Sequence, residues 1–208
     1  TTGHRKVGWC DVAKIVVFEG PDKVGKETQS NLLDRTLRGT GYRTMRLEVP
    51  SRLCPRTYKL IYWMLKNGWA KRLPNVFQFV QFLNKWFFQR TVLPGLMKTL
   101  DVIIFDRWSL SAVIYGNATG VNKAFNMWLY NRLTKPDVTV VMCQRSFRRS
   151  SVVDDAYERD GELQVRVRDG YHEWAVLHAE DHVLINNEQP VQDVHQDVLI
   201  ELAMFGIP

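Results

Sequence analysis

The sequence has little cysteine, and its three cysteines form no recognisable site. Cys10, Cys54 and Cys143 are far apart in the chain and lack Cys-x-x-Cys or Cys/His spacing, which argues against a zinc site and against a disulfide framework. We therefore expect a protein of a reducing compartment.

Long apolar runs are missing as well. No segment is apolar over the length that spans a bilayer, and the start of the chain, Thr1 to Lys6, has no apolar stretch like that of a secretory signal. The sequence thus predicts a cytoplasmic protein with no membrane partner. Because the chain does not begin with Met, we interpret residues 1–12 as a flexible N-terminal extension outside the fold.

The chain also lacks linkers rich in Pro, Gly or Ser, internal repeats and low-complexity segments. With 208 residues and 45% hydrophobic content it can bury one sizeable core, so we expect a single domain over residues 1–208. Lys and Arg exceed Asp and Glu by 28 to 22. This surplus suits phosphorylated partners, although it is common in proteins that bind no anion. The basic residues are dispersed and match no nucleic-acid-binding module, so we expect no nucleic-acid partner.

Five short runs of β-branched and apolar residues predict buried strands, and segments with helical spacing lie between them. The runs are Lys14 to Phe18, Arg43 to Val49, Val102 to Phe105, Val138 to Cys143 and His182 to Ile185. Strands that alternate with helices indicate an α/β fold, with a five-stranded parallel sheet between two layers of helices. Gly39-Thr40-Gly41 is expected to end the first helix, because glycine adopts the left-handed conformation that closes a helix.

A phosphate-binding loop follows the first predicted strand. The segment from Gly20 to Lys26 has the form Gly-x4-Gly-Lys, where x is any residue. Between a strand and a helix, the backbone N–H groups of such a loop surround a phosphate and its lysine reaches the β- and γ-phosphates of a nucleotide. We therefore assign to ATP the loop and the start of its helix: Gly20, Asp22, Lys23, Val24, Gly25, Lys26, Glu27 and Thr28.

The residue after Lys26 departs from the usual phosphate loop. A Ser or Thr there supplies a hydroxyl ligand for Mg²⁺, whereas this sequence has Glu27. The neighbouring Thr28 does not substitute, since consecutive helical residues point about 100° apart. Glu27 either binds Mg²⁺ directly or through water, or it turns to solvent while water and other carboxylates hold the metal.

Several motifs together resemble the thymidylate kinase family. The block from Phe18 to Lys26, followed by Thr28-Gln29-Ser30, is similar to the opening of these enzymes, and Asp106-Arg107-Trp108 resembles the family's Asp-Arg-Tyr. Weaker matches are Pro50-Ser51-Arg52, Asn84-Lys85-Trp86 and Lys135-Pro136-Asp137. The resemblance extends from about Lys14 to the C-terminus and implies a three-layer P-loop kinase fold with a short lid.

The resemblance implies that two arginines, Arg52 and Arg107, clamp the phosphate of the acceptor nucleotide, a task that suits the planar guanidinium fork. Ser111 and Tyr115 would lie beside the same acceptor, and the bulk of Tyr115 would disfavour a ribose 2′-OH. The residues expected to act at the transferring phosphoryl group are Asp22, Lys23, Lys26 and Arg107.

Two further features are implied by the resemblance. Asp106 ends a buried strand, where it would approach Mg²⁺ or, alternatively, cap the next helix. Residues from about 145 to 160 resemble the lid that closes over ATP and excludes water, with Arg145 and Arg149 on ATP and Tyr157 near the acceptor. A solvated polar loop is the alternative for this segment.

The positions that contact the acceptor's base differ from the family. Where the family has a stacking Phe and an Arg, this sequence has Gln81 and Lys85. Phe79 or Phe82 could take over the stacking after a small helix shift, or a different pyrimidine is accepted. We assign Gln81, Phe82 and Lys85 to the acceptor.

These features predict an ATP- and Mg²⁺-dependent kinase that acts on a deoxynucleoside 5′-monophosphate, first of all dTMP. Two alternatives stay open: a kinase of broader pyrimidine specificity for dUMP, modified dUMP, UMP or CMP, and a nucleotide-binding protein whose catalysis is impaired by Glu27. The segment from Phe77 to Phe88 is apolar around most of a helix, which predicts a homodimer interface or a helix wholly buried in its own domain.

Overall fold

The computed structural model describes residues 12–143 and 161–207, which form five strands and nine helices. The strands are β1 (Lys14–Glu19), β2 (Thr44–Glu48), β3 (Val102–Asp106), β4 (Val138–Cys143) and β5 (His182–Asn186). The helices are α1 (Lys26–Gly39), α2 (Pro55–Lys66), α3 (Trp69–Arg72), α4 (Pro74–Thr91), α5 (Leu93–Thr99), α6 (Ser109–Ala118), α7 (Lys123–Tyr130), α8 (Gly161–Leu177) and α9 (Val191–Met204).

The five strands form one parallel sheet in the order β2-β3-β1-β4-β5. All five predicted strands are confirmed, with ends that shift by at most one residue. The central strand β1 pairs with β3 and β4, and Val17 lies opposite Phe105 on one side and Thr139 on the other. Because β1 is buried on both faces, its sequence is a continuous apolar run rather than an alternating one.

Helices cover both faces of the sheet, as the predicted three-layer fold requires. On one face, Val16 and Phe18 of β1 share a core with Leu33 of α1 and Val198 of α9. On the other face, the alternate residue Val17 shares a core that includes the α4 and α5 side chains Phe88 and Leu93. Successive residues of a strand point to opposite faces, so one strand contributes to both cores.

The first helix ends where the sequence predicts. Gly41 has the left-handed φ of 92°, its N–H donates to the carbonyl of Arg38, and the N–H of Tyr42 donates to the carbonyl of Leu37. These bonds satisfy carbonyl groups that the end of a helix leaves without partners. Within the described ranges, every helix falls short of the length and apolarity that crossing a bilayer requires.

Candidate active site

The loop after β1 is shaped by two glycines with positive φ. Gly20 has φ 142°, and a side chain at this position would collide with the backbone carbonyl of Met142 on β4. Gly25 has φ 81° and is the N-cap of α1, which has no side-chain cap. The first N–H groups of α1 are therefore available to an anion, as a phosphate-binding loop needs.

Lys26 lies inside this loop. Its side chain is buried, and its ammonium donates to the carbonyl of Pro21. Burial and, to a smaller extent, the nearby Arg107 lower the pKa of Lys26 to about 7, while Asp22 acts in the opposite direction. A bound phosphate would favour the charged ammonium, since a nearby anion raises the pKa of a lysine.

A residue that the sequence did not indicate supports the loop from the other side. The Asn187 side-chain amide donates to the carbonyl of Val24 at 2.5 Å, and the Asn187 backbone N–H donates to Cys143 at the end of β4. Asn187 directly follows β5, whose carboxyl end lies at the same edge of the sheet as the loop. No local motif marks this asparagine, and only the strand order brings it to the loop.

Asp22 joins the phosphate loop to a second group of side chains. Its carboxylate forms an ion pair with Arg107 and accepts a hydrogen bond from the Tyr115 hydroxyl at 2.8 Å. Burial alone would raise the pKa of Asp22, but Arg107 and Lys26 hold it below its ordinary value. Asp22 is therefore an anion at neutral pH, between the loop and the site of Arg107.

Arg107 is held tightly. It follows β3 with a left-handed φ of 67°, which is unusual for a residue with a side chain, and its N–H donates to the carbonyl of Phe18 at 2.9 Å. Its guanidinium reaches the Gly20 carbonyl at 3.2 Å and lies 5.4 Å from the centre of the Tyr115 ring. Burial alone would lower the pKa of Arg107, but neighbouring tyrosines and carboxylates keep it above its ordinary value.

Glu19, the last residue of β1, is fully buried beneath Arg107. Its carboxylate accepts hydrogen bonds from the backbone N–H groups of Trp108 at 2.8 Å and Ser111 at 3.2 Å. The Ser111 hydroxyl also donates to it, and the Tyr171 hydroxyl lies 3.0 Å from one of its oxygens. Glu19 belongs to the family-like block from Phe18 to Lys26, but no local feature of the sequence indicates its role.

A pocket of about 180 Å³ opens beside these groups. Its lining combines the charged residues Asp22, Lys85 and Arg107 with apolar residues such as Leu65 and Ala70. Six of the predicted site residues line it together: Asp22, Gln81, Lys85, Arg107, Ser111 and Tyr115.

Two residues assigned to the acceptor lie elsewhere. Arg52 is exposed, with its guanidinium 5.8 Å from the centre of the Tyr58 ring, and does not line the pocket. Phe82 packs with Leu129 and Leu133 instead of facing the pocket.

The geometry of α4 explains which of its residues reach the pocket. At about 100° per residue, positions 77, 78, 81 and 85 fall within one arc of about 100°, whereas position 82 lies beyond it. Phe77 and Gln78 therefore line the pocket with Gln81 and Lys85. Phe77 also contributes an aromatic ring to the pocket. The motifs do not indicate it, since Phe79 and Phe82 were the residues expected to replace the family's Phe.

Lys85 is buried within α4, with 3% of its surface exposed. Its pKa is lowered to about 8, chiefly by burial; the Glu19 carboxylate opposes this shift and Arg107 adds to it. Its neighbour Asn84 has a structural task, since its side chain accepts from the Ser51 N–H at 2.7 Å and donates to the Ser51 carbonyl at 3.1 Å. These bonds fix the segment after β2 that contributes Val49 and Pro50 to the pocket.

The two candidate metal ligands differ in their surroundings. Asp106 pairs with Arg46 at 2.7 Å, and both side chains are mostly buried. Glu27 is exposed in the first turn of α1, as are Thr28 and, in the loop, Lys23. Among residues 12–143 and 161–207, no group of three or more His, Cys, Asp or Glu side chains is placed to hold a metal ion. The predicted lid residues Arg145, Arg149 and Tyr157 lie outside the described residues.

Comparisons with known proteins show the family of this chain. The family model described as thymidylate kinase matches residues 18–198. A curated relative, the thymidylate kinase of Plasmodium falciparum, is 27% identical over 199 residues, which cover 93% of this chain and 91% of the relative.

Two solved structures have the same fold. The thymidylate kinase of Candida albicans has a TM-score of 0.73 at 21% identity, with 93% of both chains covered. That of Ehrlichia chaffeensis has a TM-score of 0.73 at 20% identity, with 92% of this chain and 98% of the other covered. At these identities the structures show the fold, while the family match over most of the chain shows the membership: the chain belongs to the thymidylate kinase family and is a nucleoside monophosphate kinase.

Proposed function

We propose that this protein transfers the terminal phosphoryl group of ATP to dTMP. The observation that carries the proposal is the position of Asp22, which belongs to the phosphate loop and also bonds Arg107 and Tyr115 of the pocket. The loop and the pocket are therefore adjacent, with Asp22 between them. A nucleotide phosphate in the loop and an acceptor phosphate at Arg107 would lie side by side, as phosphoryl transfer requires.

The charges of the site suit this reaction. Lys26 stands in the loop for the donor phosphates, and Arg107 stands at the pocket for the acceptor phosphate. Transfer between phosphates needs no general base, because the acceptor phosphate is already an anionic nucleophile, and catalysis depends on position and electrostatic stabilisation. Arg107 offers the fixed fork that recognises a phosphate, while its ion pair with Asp22 orients that fork.

The position of the Tyr115 ring supports a deoxynucleoside acceptor. Tyr115 is bonded to Asp22 and lies beneath Arg107, so its ring is fixed at the end of the pocket where the acceptor's sugar would follow its phosphate. A fixed ring at this point leaves little space for a 2′-OH. The apolar part of the pocket, which includes Phe77, then receives the base.

The residues present are compatible with Mg²⁺. This ion keeps several waters and uses one or two carboxylates together with substrate phosphates, so a cluster of protein ligands is not needed. Asp106 at the end of β3 and Glu27 at the start of α1 are the carboxylates that would face it, directly or through water. When bound, Mg²⁺ would neutralise charge on the phosphates.

The direct test is ATP-dependent ADP release with a panel of acceptors: dTMP, dUMP, dCMP, UMP and CMP. We expect the highest kcat/KM with dTMP and little turnover with ribonucleotides. Lys26→Ala serves as the inactive control, and Lys98→Ala, an exposed lysine of α5, serves as the matched control. If the wild-type protein with dTMP released no more ADP than the Lys26→Ala variant does, the proposed function would be wrong.

A further inference from the structure

The buried carboxylate of Glu19 has no role in the chemistry described above. It lies at the end of β1 with no exposed surface. A carboxylate in such a place is costly unless hydrogen bonds satisfy it. Glu19 has them, because two backbone N–H groups and two hydroxyls from α6 and α8 surround its oxygens.

The two backbone N–H groups that donate to Glu19 lie at the start of α6. This helix begins at Ser109, its N-cap residue Trp108 provides no side-chain cap, and the N–H groups that Glu19 accepts are those of Trp108 and Ser111. The first N–H groups of a helix need acceptors from outside the helix. A side chain from a different strand therefore caps α6.

As a result, the backbone is held by hydrogen bonds both at Arg107 and at the residue after it. The N–H of Arg107 is bonded to Phe18, and the N–H of the next residue, Trp108, is bonded to Glu19. The left-handed φ of 67° at Arg107 is a conformation that a non-glycine residue keeps only where its surroundings impose it. The bonds to Phe18 and Glu19 are such a constraint, and they hold the backbone from which the guanidinium extends to Asp22.

Glu19 is also the common counter-charge of the site. Its carboxylate favours the charged forms of three cations, Lys26, Lys85 and Arg107. Tyr171 of α8 holds the opposite side of the carboxylate, since its hydroxyl lies 3.0 Å from both Glu19 and Ser111. One buried group thus connects β1, α6 and α8 at the end of the acceptor pocket.

We infer that Glu19 is a positioning residue for phosphoryl transfer, whose carboxylate fixes Arg107 and the start of α6 so that the guanidinium meets the acceptor phosphate. This inference rests on the proposed function. Glu19 is buried and does not line the pocket, so we expect it to act on the acceptor through Arg107 and the start of α6.

Two substitutions at this position separate hydrogen bonding from charge. In Glu19→Gln the remaining carbonyl oxygen can accept from the Trp108 and Ser111 N–H groups, and the hydroxyls of Ser111 and Tyr171 can turn to accept from the new amide. In Glu19→Leu no acceptor is left. We expect the KM for dTMP to rise by about thirtyfold or more in Glu19→Leu and to stay within about fivefold of the wild type in Glu19→Gln. The KM for ATP should change less than about twofold in both variants.

A gentler pair of variants keeps the inference testable if Glu19→Leu does not fold. Tyr171→Phe removes one hydrogen bond from the carboxylate and leaves the ring in the core. Tyr130→Phe is the matched control, because Tyr130 is partly buried against the same core, and it is Tyr171 that makes the tyrosine hydrogen bond to Glu19. We expect the KM for dTMP to rise by about threefold to tenfold in Tyr171→Phe and to stay unchanged in Tyr130→Phe.

The outcomes are distinct. Equal losses in Glu19→Gln and Glu19→Leu, a parallel rise in the KM for ATP, or no change in Tyr171→Phe would overturn the positioning role. The proposed function fails separately, if the wild-type protein shows no dTMP-dependent ADP release above Lys26→Ala.

Discussion

At the scale of single residues, Arg107 is the group with the most constraints. Its guanidinium pairs with Asp22 and reaches Gly20 and Ser111, while its backbone is held in a left-handed conformation. These contacts fix the orientation of the guanidinium, as expected for a group that must meet a phosphate. The position also explains why a lysine would serve poorly there, since a single ammonium cannot present a planar fork to a phosphate.

Arg107→Ala should weaken acceptor binding far more than ATP binding. Loss of charge-assisted hydrogen bonds to a phosphate costs on the order of a hundredfold in affinity, so we expect the KM for dTMP to rise by about that factor and the KM for ATP by less than about threefold. Arg90→Ala is the matched control, because Arg90 is an exposed arginine beside Trp86 on α4, outside the pocket. Equal losses for the two nucleotides would contradict the assignment of Arg107 to the acceptor.

Lys85 illustrates a residue whose burial costs stability. Burial lowers its pKa from 10.5 to about 8, which corresponds to a penalty of about 3 kcal/mol for keeping the ammonium charged at pH 7. Between pH 8 and 10.5 the unfolded chain binds more protons than the folded one, so the free energy of unfolding should rise with pH in that window. Below about pH 8 the Lys85 contribution is constant.

Lys85→Met should therefore stabilise the fold at pH 7 by up to about 3 kcal/mol. It should also reduce the rise in stability between pH 8 and 10.5, of which Lys26 contributes the rest because its pKa is lowered as well. The same variant should lose affinity for dTMP, because the ammonium faces the acceptor pocket. Urea unfolding from pH 7 to 10.5 measures the first effect and KM the second. Lys98→Met, which removes an exposed lysine, should leave both unchanged; a wild-type-like pH slope in Lys85→Met would refute the argument.

At the scale of elements, the phosphate loop and α1 carry the least conventional feature of the site. Glu27 is exposed in the first turn of α1, where a carboxylate is favourable for the helix but unfavourable near the phosphates of ATP. A divalent cation between the two anions removes this conflict. We therefore expect Mg²⁺ to be required for tight ATP binding.

Glu27→Ser removes the negative charge and restores the usual hydroxyl. ATP affinity measured without Mg²⁺ should rise by about threefold to tenfold in this variant, and activity with Mg²⁺ should persist or increase. Asp193→Ser is the matched control, since Asp193 is an acidic residue in the first turn of α9. Calorimetric titration of ATP with and without Mg²⁺ decides the matter, and unchanged metal-free affinity would show that Glu27 stays in solvent.

The elements were largely predictable from the sequence, and the site only in part. Buried parallel strands are short apolar runs, so β1 to β5 could be located within one residue, and the loop from Gly20 to Lys26 has a local motif. Asn187, Tyr171 and Arg46 have no such signal, because each reaches the site only through the order of the strands and the packing of α8. Phe82 was expected to replace the family's stacking Phe, whose place is taken by Gln81, after a small helix shift, but its side chain packs with Leu129 and Leu133.

At the scale of the whole molecule, α4 has two opposite faces, one that lines the acceptor pocket and one that exposes apolar side chains. Its pocket face includes Phe77, Gln81 and Lys85. About 180° away around the helix lie Val76, Phe79, Leu83, Trp86 and Phe87, of which Val76, Phe79 and Phe87 are at least 40% exposed. Single exposed apolar residues are common on protein surfaces, whereas a continuous apolar stripe along an 18-residue helix is typical of an interaction site.

We expect the stripe to be covered by the same stripe of a second chain, which would give a homodimer with two-fold symmetry. Light scattering at micromolar concentration should then report twice the 24.3 kDa of one chain. Replacing both Phe79 and Phe87 by Glu should give monomers, because a dimer would bury four uncompensated carboxylates at its centre. Ile200→Glu is the control, since Ile200 is 62% exposed on α9, on the other face of the sheet. A wild-type mass of a single chain would refute the dimer, and a dimer that survives both glutamates would place its interface elsewhere.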